Sequence, residues 1–258
     1  MQTKSIQNRL DYIANLELAS YNNQLENIPA EKSSRKDLVS DLNLKSANVV
    51  DGSTVSFQVG IPKQQQEDVL DSTLLAQLAA NKAFDRETQT EAWYGKYREV
   101  LENVGWVVNS FGFSRLSDSG ATIKLDKVAL KLMGAAISGN ELALLTQTLS
   151  ALENMDPDSH AVTLFDGSGS NAEGGNFQIS AASLDPNNDV HMSLGTFYFK
   201  ATEHKARFLF VRWSSHSINI YGSAQNVTLN ERIYDQVRTA VTEKLGRNAL
   251  EYIAGIDI

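Results

Sequence analysis

The order of helical and extended patterns along the chain restricts the choice of fold more than any single motif does. Before residue 155, apolar residues recur at helical spacing, and the predicted helices begin near Glu67 and Gln89 and cover 125–138 and 141–154. After residue 160 the pattern becomes mostly extended, and one amphipathic helix is predicted over 231–246. Helices and long strands that occupy separate parts of a chain are typical of α+β proteins with an antiparallel sheet.

The predicted strands are short apolar or alternating runs separated by turn-rich segments. They are 48–63, 106–116, HAVTLFDG (160–167), NFQISAASL (176–184), VHMSLGTFYFKA (190–201), ARFLFVRW (206–213) and SINIYGS (217–223). The DPNND segment at 185–189 has the composition of a hairpin turn, because proline fixes φ and asparagine tolerates the left-handed region.

The length and the segment pattern together predict the domain organisation. A chain of 258 residues can form one domain with a sizeable core. Residues 1–40 contain a weak helical pattern and the polar segment IPAEKSSRK (28–36), which indicates an N-terminal helical arm followed by a linker. Residues 41–258 are predicted to form a single layered α+β domain.

Two of the predicted strands are apolar on both sides. In 190–199, Met192, Leu194 and Tyr198 alternate with Phe197 and Phe199. In 207–213, Phe208 and Phe210 alternate in the same way with Trp213 and its apolar neighbours. Strands of this kind occur in the centre of a covered sheet. The sequence therefore predicts an antiparallel β-sheet that is flanked by α-helices on both faces.

No pattern in the chain indicates catalysis, a cofactor or a metal. There is no cysteine and no G-x-S-x-G segment, and the four histidines lack the spacing of metal ligands. The glycine-rich segment at 166–175 lacks the lysine of a phosphate loop and is predicted to be a flexible loop between strands. A protein without enzymatic activity is the favoured interpretation. The least favoured is an enzyme whose His, Ser and Asp side chains come together only in the folded structure.

Charge and terminal composition restrict the partners and the location. With 23 Lys+Arg against 31 Asp+Glu the formal charge is −8, which argues against a nucleic-acid partner. The first 20 residues lack the apolar core of a secretory signal, so we expect synthesis in the cytoplasm without one. Release by lysis or by a dedicated machine, followed by action on target-cell membranes, stays open.

The element order from residue 141 onward resembles that of the Cyt-type cytolytic toxins and is similar to that of the Evf virulence factor-like family. The most similar segment is RFLFVRWSSHSINIYG (207–222), and the resemblance covers about 141–246. It implies a mainly antiparallel sheet wrapped by helices. The Evf protein carries a thioester-linked fatty acid, and this chain has no cysteine, so any lipid here must be held without a covalent bond.

The resemblance also implies a membrane-active, pore-forming or bilayer-perturbing function. The folded form would bind a lipid bilayer, the helical pair 125–154 would detach, and strands between 190 and 222 would contact lipid, with oligomerisation expected. The residues expected to contact lipid are Met192, Leu194, Phe197, Tyr198, Phe199, Phe208, Phe210, Trp213, Ile218 and Ile220. The alternative is a non-catalytic binding module that holds a fatty acyl chain or another apolar ligand.

Overall fold

A computed structural model describes residues 4–20, 38–117, 120–170 and 174–258. The predicted linker at 28–36 lies outside the described residues. The helices are α1 (Ile6–Asn15), α2 (Lys63–Ala83), α3 (Thr90–Val104), α4 (Leu125–Gly134), α5 (Gly139–Asn154), α6 (His160–Gly169), α7 (Glu231–Leu245) and α8 (Asn248–Glu251).

The strands form one large mixed sheet and one two-stranded ribbon. They are β1 (Ser46–Val50), β2 (Ser53–Phe57), β3 (Trp106–Val107), β4 (Ser114–Leu116), β5 (Thr122–Ile123), β6 (Gly174–Leu184), β7 (Val190–Ala201), β8 (Trp213–Ser214), β9 (Ile218–Leu229) and β10 (Ile253–Ile256). The large sheet has the order β10-β1-β2-β6-β7-β9-β3, with β4 also paired to β9. Its pairs are antiparallel except β2 with β6, which is parallel.

Helices cover both faces of the sheet. One face carries α2, α3 and α7, with α1 packed on α7 and α3, and the other carries α4, α5 and α6. The predicted α+β class with helices on both faces is confirmed. The parallel β2–β6 pair is the exception to the antiparallel sheet that the sequence predicts.

Several helix and turn boundaries follow from local chemistry. Helix α3 ends at Gly105, whose φ of 114° is the left-handed conformation that glycine adopts without strain. Helix α5 begins after Ser138, which forms a capping box with Glu141. The β6–β7 turn is the predicted hairpin, with Asn188 at φ 64°.

The segment 160–167 forms a helix, and the predicted strand is wrong. The Ser159 hydroxyl accepts a hydrogen bond from the Val162 amide and caps α6, whose apolar residues pack on β1, β2, β6 and β10. An apolar run of this length is compatible with either a helix or a strand. The Ser159 cap favours the helix. The predicted glycine-rich loop is also wrong in part, because 166–169 form the last turn of α6.

The segment 206–213 is mostly turns, and the predicted strand there is wrong except at Trp213. Sheet register explains the difference. Ala201 and Ile218 are partners in the β7–β9 pair, so the chain between them must leave the sheet and return. This connection, residues 202–217, folds against the sheet as an apolar plug. Two other predicted strands are each divided into two: 48–63 covers part of β1 and all of β2, and 106–116 contains β3 and β4.

Candidate functional site

Nine of the ten residues that the sequence predicts to contact lipid are buried in the folded form, and Tyr198 is half-buried. They do not lie on one surface. Even-numbered positions of β7, including Met192, Leu194 and Tyr198, lie on the side of the sheet where Tyr198 comes close to α3. Phe197 and Phe199 point to the opposite side, where Phe197 lies next to Gly195 and Gly222 beneath α4. The positions Ile218 and Ile220 of β9 lie on this second side, because they pair with Ala201 and Phe199.

The second side carries a continuous cluster of aromatic rings. Phe177 stacks on Phe197 with ring centroids 5.0 Å apart, and Phe199 stacks on Phe208 at 5.5 Å. Phe165 of α6 and Trp213 complete what we call the aromatic cluster, with centroids 5.4 Å from Phe208 and 5.8 Å from Phe199 respectively. Rings from β6, β7, α6 and the plug therefore fill the space between the sheet and its helical cover.

Arg207 fixes the plug to the neighbouring helices. Its backbone amide donates to a carboxylate oxygen of Asp166 at 2.9 Å, and its guanidinium donates to the carbonyls of Leu152 and Glu153 at 2.8 and 2.7 Å. Burial raises the pKa of the Asp166 carboxyl, although the Arg207 amide and guanidinium oppose this effect. The plug thus joins the end of α5 to α6.

Helix α4 lies on two glycines of neighbouring strands. A β-carbon at Gly195 would approach the Met133 sulfur to 2.5 Å, and one at Gly222 would approach Leu132 to 2.8 Å. The absence of side chains at these two positions lets the helix approach the backbone of β7 and β9 closely. We refer to α4 and α5, which contact each other and this side of the sheet, as the α4–α5 layer.

Two buried polar contacts join the α4–α5 layer to the sheet. The hydroxyl oxygens of Ser56 in β2 and Thr148 in α5 are 2.8 Å apart. The Ser193 hydroxyl in β7 donates to a carboxylate oxygen of Glu141 at 3.1 Å and contacts Asn226 of β9 at 2.9 Å. Sequence patterns gave no indication of these pairs, since the partners are 92 and 52 residues apart.

The outward side of α5 is uncharged between its two acidic residues. No Lys, Arg, Asp or Glu occurs between Glu141 and Glu153. The exposed residues there include Ala143, Thr146 and Gln147, which line a shallow groove of about 720 Å³ that Ile258 also borders. This side of the cover therefore lacks the charges that make burial in an apolar medium expensive.

The opposite side of the sheet contains a buried polar network around Arg86. Its guanidinium pairs with Asp51 at 2.8 Å, bonds to Asn176 and lies over the Trp93 ring with Cζ 4.7 Å from the ring centroid. The Trp93 indole in turn donates to Asn81 at 2.7 Å. Sequence reasoning missed this network because its members come from three separated parts of the chain, at 51, 81–93 and 176, with no motif. Full pairing of a buried charge indicates a structural role.

The histidines do not form a ligand set. His160 contacts the Glu251 carbonyl at 3.1 Å, and His191 contacts the Thr228 hydroxyl at 3.3 Å. The Ser214 hydroxyl accepts from the backbone amide of His216. In the described part of the chain, no three His, Asp or Glu side chains are grouped as a metal site would require. Within the same residues, no helix has both the length and the apolar composition to cross a membrane.

Comparison with known proteins gives a distant similarity of fold. No protein-family model and no curated protein matches the sequence. A solved delta-endotoxin structure is 12% identical, with a TM-score of 0.39, over 74% of this chain and 84% of that chain. The solved structure of the Evf virulence factor is 15% identical, with a TM-score of 0.31, over 88% of this chain and 87% of that one. Sequence identities and TM-scores this low indicate a distant similarity of fold and do not assign a function.

Proposed function

We propose that this chain is a membrane-active, toxin-like protein whose α4–α5 layer leaves the sheet at a bilayer, so that β7 and β9 contact lipid. The observation that supports the proposal is the aromatic and glycine-containing side of β6, β7 and β9, which a separate helical layer covers. These strands have 11, 12 and 12 residues. About 9–11 residues are enough for a tilted strand to cross the hydrocarbon core.

The physical chemistry of this step differs between water and lipid. In water, separation of the layer would expose the aromatic cluster at a cost of about 25 cal/mol for each Å² of apolar surface. Next to hydrocarbon this cost is absent, so we expect the layer to detach only at a bilayer. The backbone groups of β6, β7 and β9 stay paired with one another, which hydrocarbon requires.

The edges of the sheet give a reason to expect oligomers on the membrane. The outer strands are β10 at one end and the short β3 and β4 at the other. Their outward N–H and C=O groups would be unpaired in hydrocarbon, where each costs several kcal/mol. Pairing between edges of neighbouring copies satisfies these groups. Chemical cross-linking on vesicles, compared with the same protein concentration in buffer, checks this expectation.

The basic experiment is release of a trapped dye from vesicles of zwitterionic lipid, because a net charge of −8 disfavours anionic surfaces. We expect leakage that rises with protein concentration. No leakage from vesicles of any composition, together with stoichiometric binding of a fatty acid, would support the acyl-binding alternative instead. The aromatic cluster argues against that alternative, since its stacked rings occupy the space an acyl chain would take.

A disulfide across the Ser56–Thr148 contact tests the opening step. The two hydroxyl oxygens are 2.8 Å apart, so the side chains at these positions already meet across the contact between α5 and β2. The chain contains no competing thiol. We expect the oxidised S56C/T148C variant to be silent on vesicles and its reduced form to leak dye. Equal leakage from both forms would refute detachment of the layer.

The matched control joins two strands of the sheet. Ser193 and Asn226 are partners in the β7–β9 pair, with side-chain oxygens 2.9 Å apart. An S193C/N226C disulfide keeps those strands together and leaves the layer free. Because the substitution also removes the Ser193–Glu141 contact, the oxidised form is compared only with its own reduced form. Its oxidised form is expected to leak dye like its reduced form. If both disulfides block leakage, β7 and β9 must separate, and the proposed mechanism is wrong.

A further inference from the structure

An open cleft lies at the edge of the large sheet, on the side away from the α4–α5 layer. It has a volume of about 480 Å³ and lies between α3, the segment 108–113 and strands β4, β7 and β9. Sites for small ligands commonly have about 300–1,000 Å³. We call this site the edge cleft.

Sheet register builds the floor of the edge cleft. Arg115 of β4 pairs with Tyr221 of β9, which pairs with Tyr198 of β7. Paired residues on neighbouring strands point to the same side, so these three side chains form a row that ends at the sheet edge. The two tyrosine rings stack, with centroids 4.7 Å apart and planes at 9°.

Two phenylalanines form one wall. Phe113 meets Tyr198 edge to face at 5.1 Å, and Phe111 lies 6.2 Å from Phe113, with both phenylalanine side chains half-buried. Both also pack against Tyr94 of α3, at 5.3 Å from Phe111 and 4.9 Å from Phe113. Phenylalanines that remain partly open, supported from behind by a fully buried tyrosine, give a fixed aromatic surface.

Helix α3, which packs against the two phenylalanines through Tyr94, also lines the edge cleft. Glu91, Tyr94, Gly95 and Arg98 have the spacing of one helical face, and all four line the edge cleft. A β-carbon at Gly95 would meet no atom within 4 Å, so the helix surface is open at this point. Glu91 and Arg98 lie about one helical turn from Gly95 in opposite directions, and the Arg98 guanidinium also pairs with Glu102 at 3.6 Å.

We propose that the edge cleft binds a phosphocholine group. Aromatic faces attract quaternary ammonium ions, and a nearby carboxylate such as Glu91 adds charge of the correct sign. Arginine is the side chain best suited to phosphate, and Arg98 and Arg115 are both at the cleft. A ligand that carries both charges matches both features at once, whereas choline or phosphate alone matches one.

The electrostatics of the tyrosine pair agree with this assignment. Burial raises the pKa of Tyr198, and the neighbouring Tyr221 and Glu91 raise it further. The phenol therefore stays neutral at physiological pH and adds no charge to the edge cleft. The lipid source of the group rests on the proposed function, since a zwitterionic bilayer presents phosphocholine at its surface.

The first test fills the edge cleft without disturbing the core. G95L adds a side chain in open space on a helix, where leucine is a better helix former than glycine. Calorimetry would measure binding of phosphocholine, choline, inorganic phosphate and methyl glucoside to the folded protein. We expect phosphocholine to bind best and G95L to weaken it at least about fivefold. The control G255L, at another glycine with open space, should bind as the parent does.

The second test separates the two charges. R115Q should weaken phosphocholine but leave choline unchanged, and E91Q should weaken both. If phosphocholine binding is unchanged in R115Q, E91Q and G95L, the assignment is wrong. It is also wrong if methyl glucoside binds most tightly, because the edge cleft would then be a sugar-binding site. Vesicle leakage is a separate readout. If the protein binds phosphocholine but causes no leakage, the proposed membrane function is wrong and the binding site is supported. If it causes leakage but does not bind phosphocholine, the function is supported and the binding site is wrong.

Discussion

Gly195 lies directly beneath Met133, so that a β-carbon on the glycine would stand 2.5 Å from the methionine sulfur. Real β-carbons do not approach other atoms this closely, so the distance between α4 and the sheet depends on this glycine. The same dependence exists one strand further, where Gly222 lies beneath Leu132. Both positions belong to the surface that the proposed function uncovers.

The glycine beneath Leu132 gives the first prediction. We expect G222A to lower the free energy of unfolding by about 1–3 kcal/mol, because the added methyl group overfills the contact between α4 and β9. Denaturant unfolding measures this change. The control G112A, at an exposed glycine with no atom within 4 Å of the added carbon, should change stability little. An unaltered G222A would mean that α4 does not rest on β9.

The aromatic cluster gives the second prediction. Trp213 is 1% exposed, and its indole donates to the Phe208 carbonyl at 2.9 Å. W213A should lower the free energy of unfolding by about 3–5 kcal/mol, because it leaves a cavity between the plug and the sheet. W213F keeps most of the ring volume and loses the hydrogen bond, so its cost should be clearly smaller. Equal costs for the two variants would contradict the packing described for Trp213.

The buried Arg86–Asp51 pair gives the third prediction. The two side chains are 11% and 2% exposed, so removal of the cation leaves a carboxylate in the interior. We expect R86M to lower the free energy of unfolding by about 3–5 kcal/mol. The double variant R86M/D51N should recover part of this loss, and asparagine suits the positive φ of 50° at position 51. A double-mutant cycle measures the coupling, and additive losses would show that the pair does not interact.

Asp166 gives a prediction for pH. Burial raises its pKa in the folded state above the ordinary value of 3.8, so the folded protein holds this proton to a higher pH than the unfolded chain does. The stability linked to Asp166 is therefore present below pH 3.8 and is lost as pH rises through the raised pKa. D166N removes this dependence while its amide oxygen still accepts from Arg207.

The measurement is denaturant unfolding of both proteins at a series of pH values upward from about 4. The stability of D166N relative to the parent should increase as pH rises and then become constant. D158N, which removes an exposed carboxylate near the same helix, serves as the comparison. A difference between D166N and the parent that decreases with pH would contradict the stated direction.

The parts of the fold that sequence predicted are those fixed by local chemistry. Helix α3 has an amphipathic stripe and a glycine at its end, and β6 and β7 flank a turn whose Asn188 adopts the left-handed region. The α6 helix was missed because its apolar run fits both periods and the serine cap before it is a weak signal in isolation.

The sequence predicted which apolar residues are enclosed near the candidate site, but not how the fold arranges them. Phe208, Leu209, Phe210 and Trp213 are buried as expected. They fill space beside β7 as a plug, since register assigns the neighbouring position to β9. The Arg86 network and the edge cleft depend on segments that only the tertiary fold brings together. Arg115, for example, reaches Tyr198 through two strand pairings that no local pattern encodes.

The parallel pairing of β2 with β6 has a consequence for how the protein folds. The Ser53–Gln178 hydrogen bond across this pair joins residues 125 positions apart, whereas β1–β2 and β6–β7 are hairpins that close locally. Contacts between distant segments form slowly because a long loop must first be ordered. We expect β1-β2 and β6-β7-β9 to assemble as two separate units, with the β2–β6 junction formed after them. The β1–β10 pair, whose partners such as Ala47 and Ile256 are even further apart in the chain, should also form late. Backbone amide exchange across the β2–β6 junction should then be faster than in the middle of either unit. The large sheet would therefore fold and unfold as two smaller sheets that are joined by a late strand pairing.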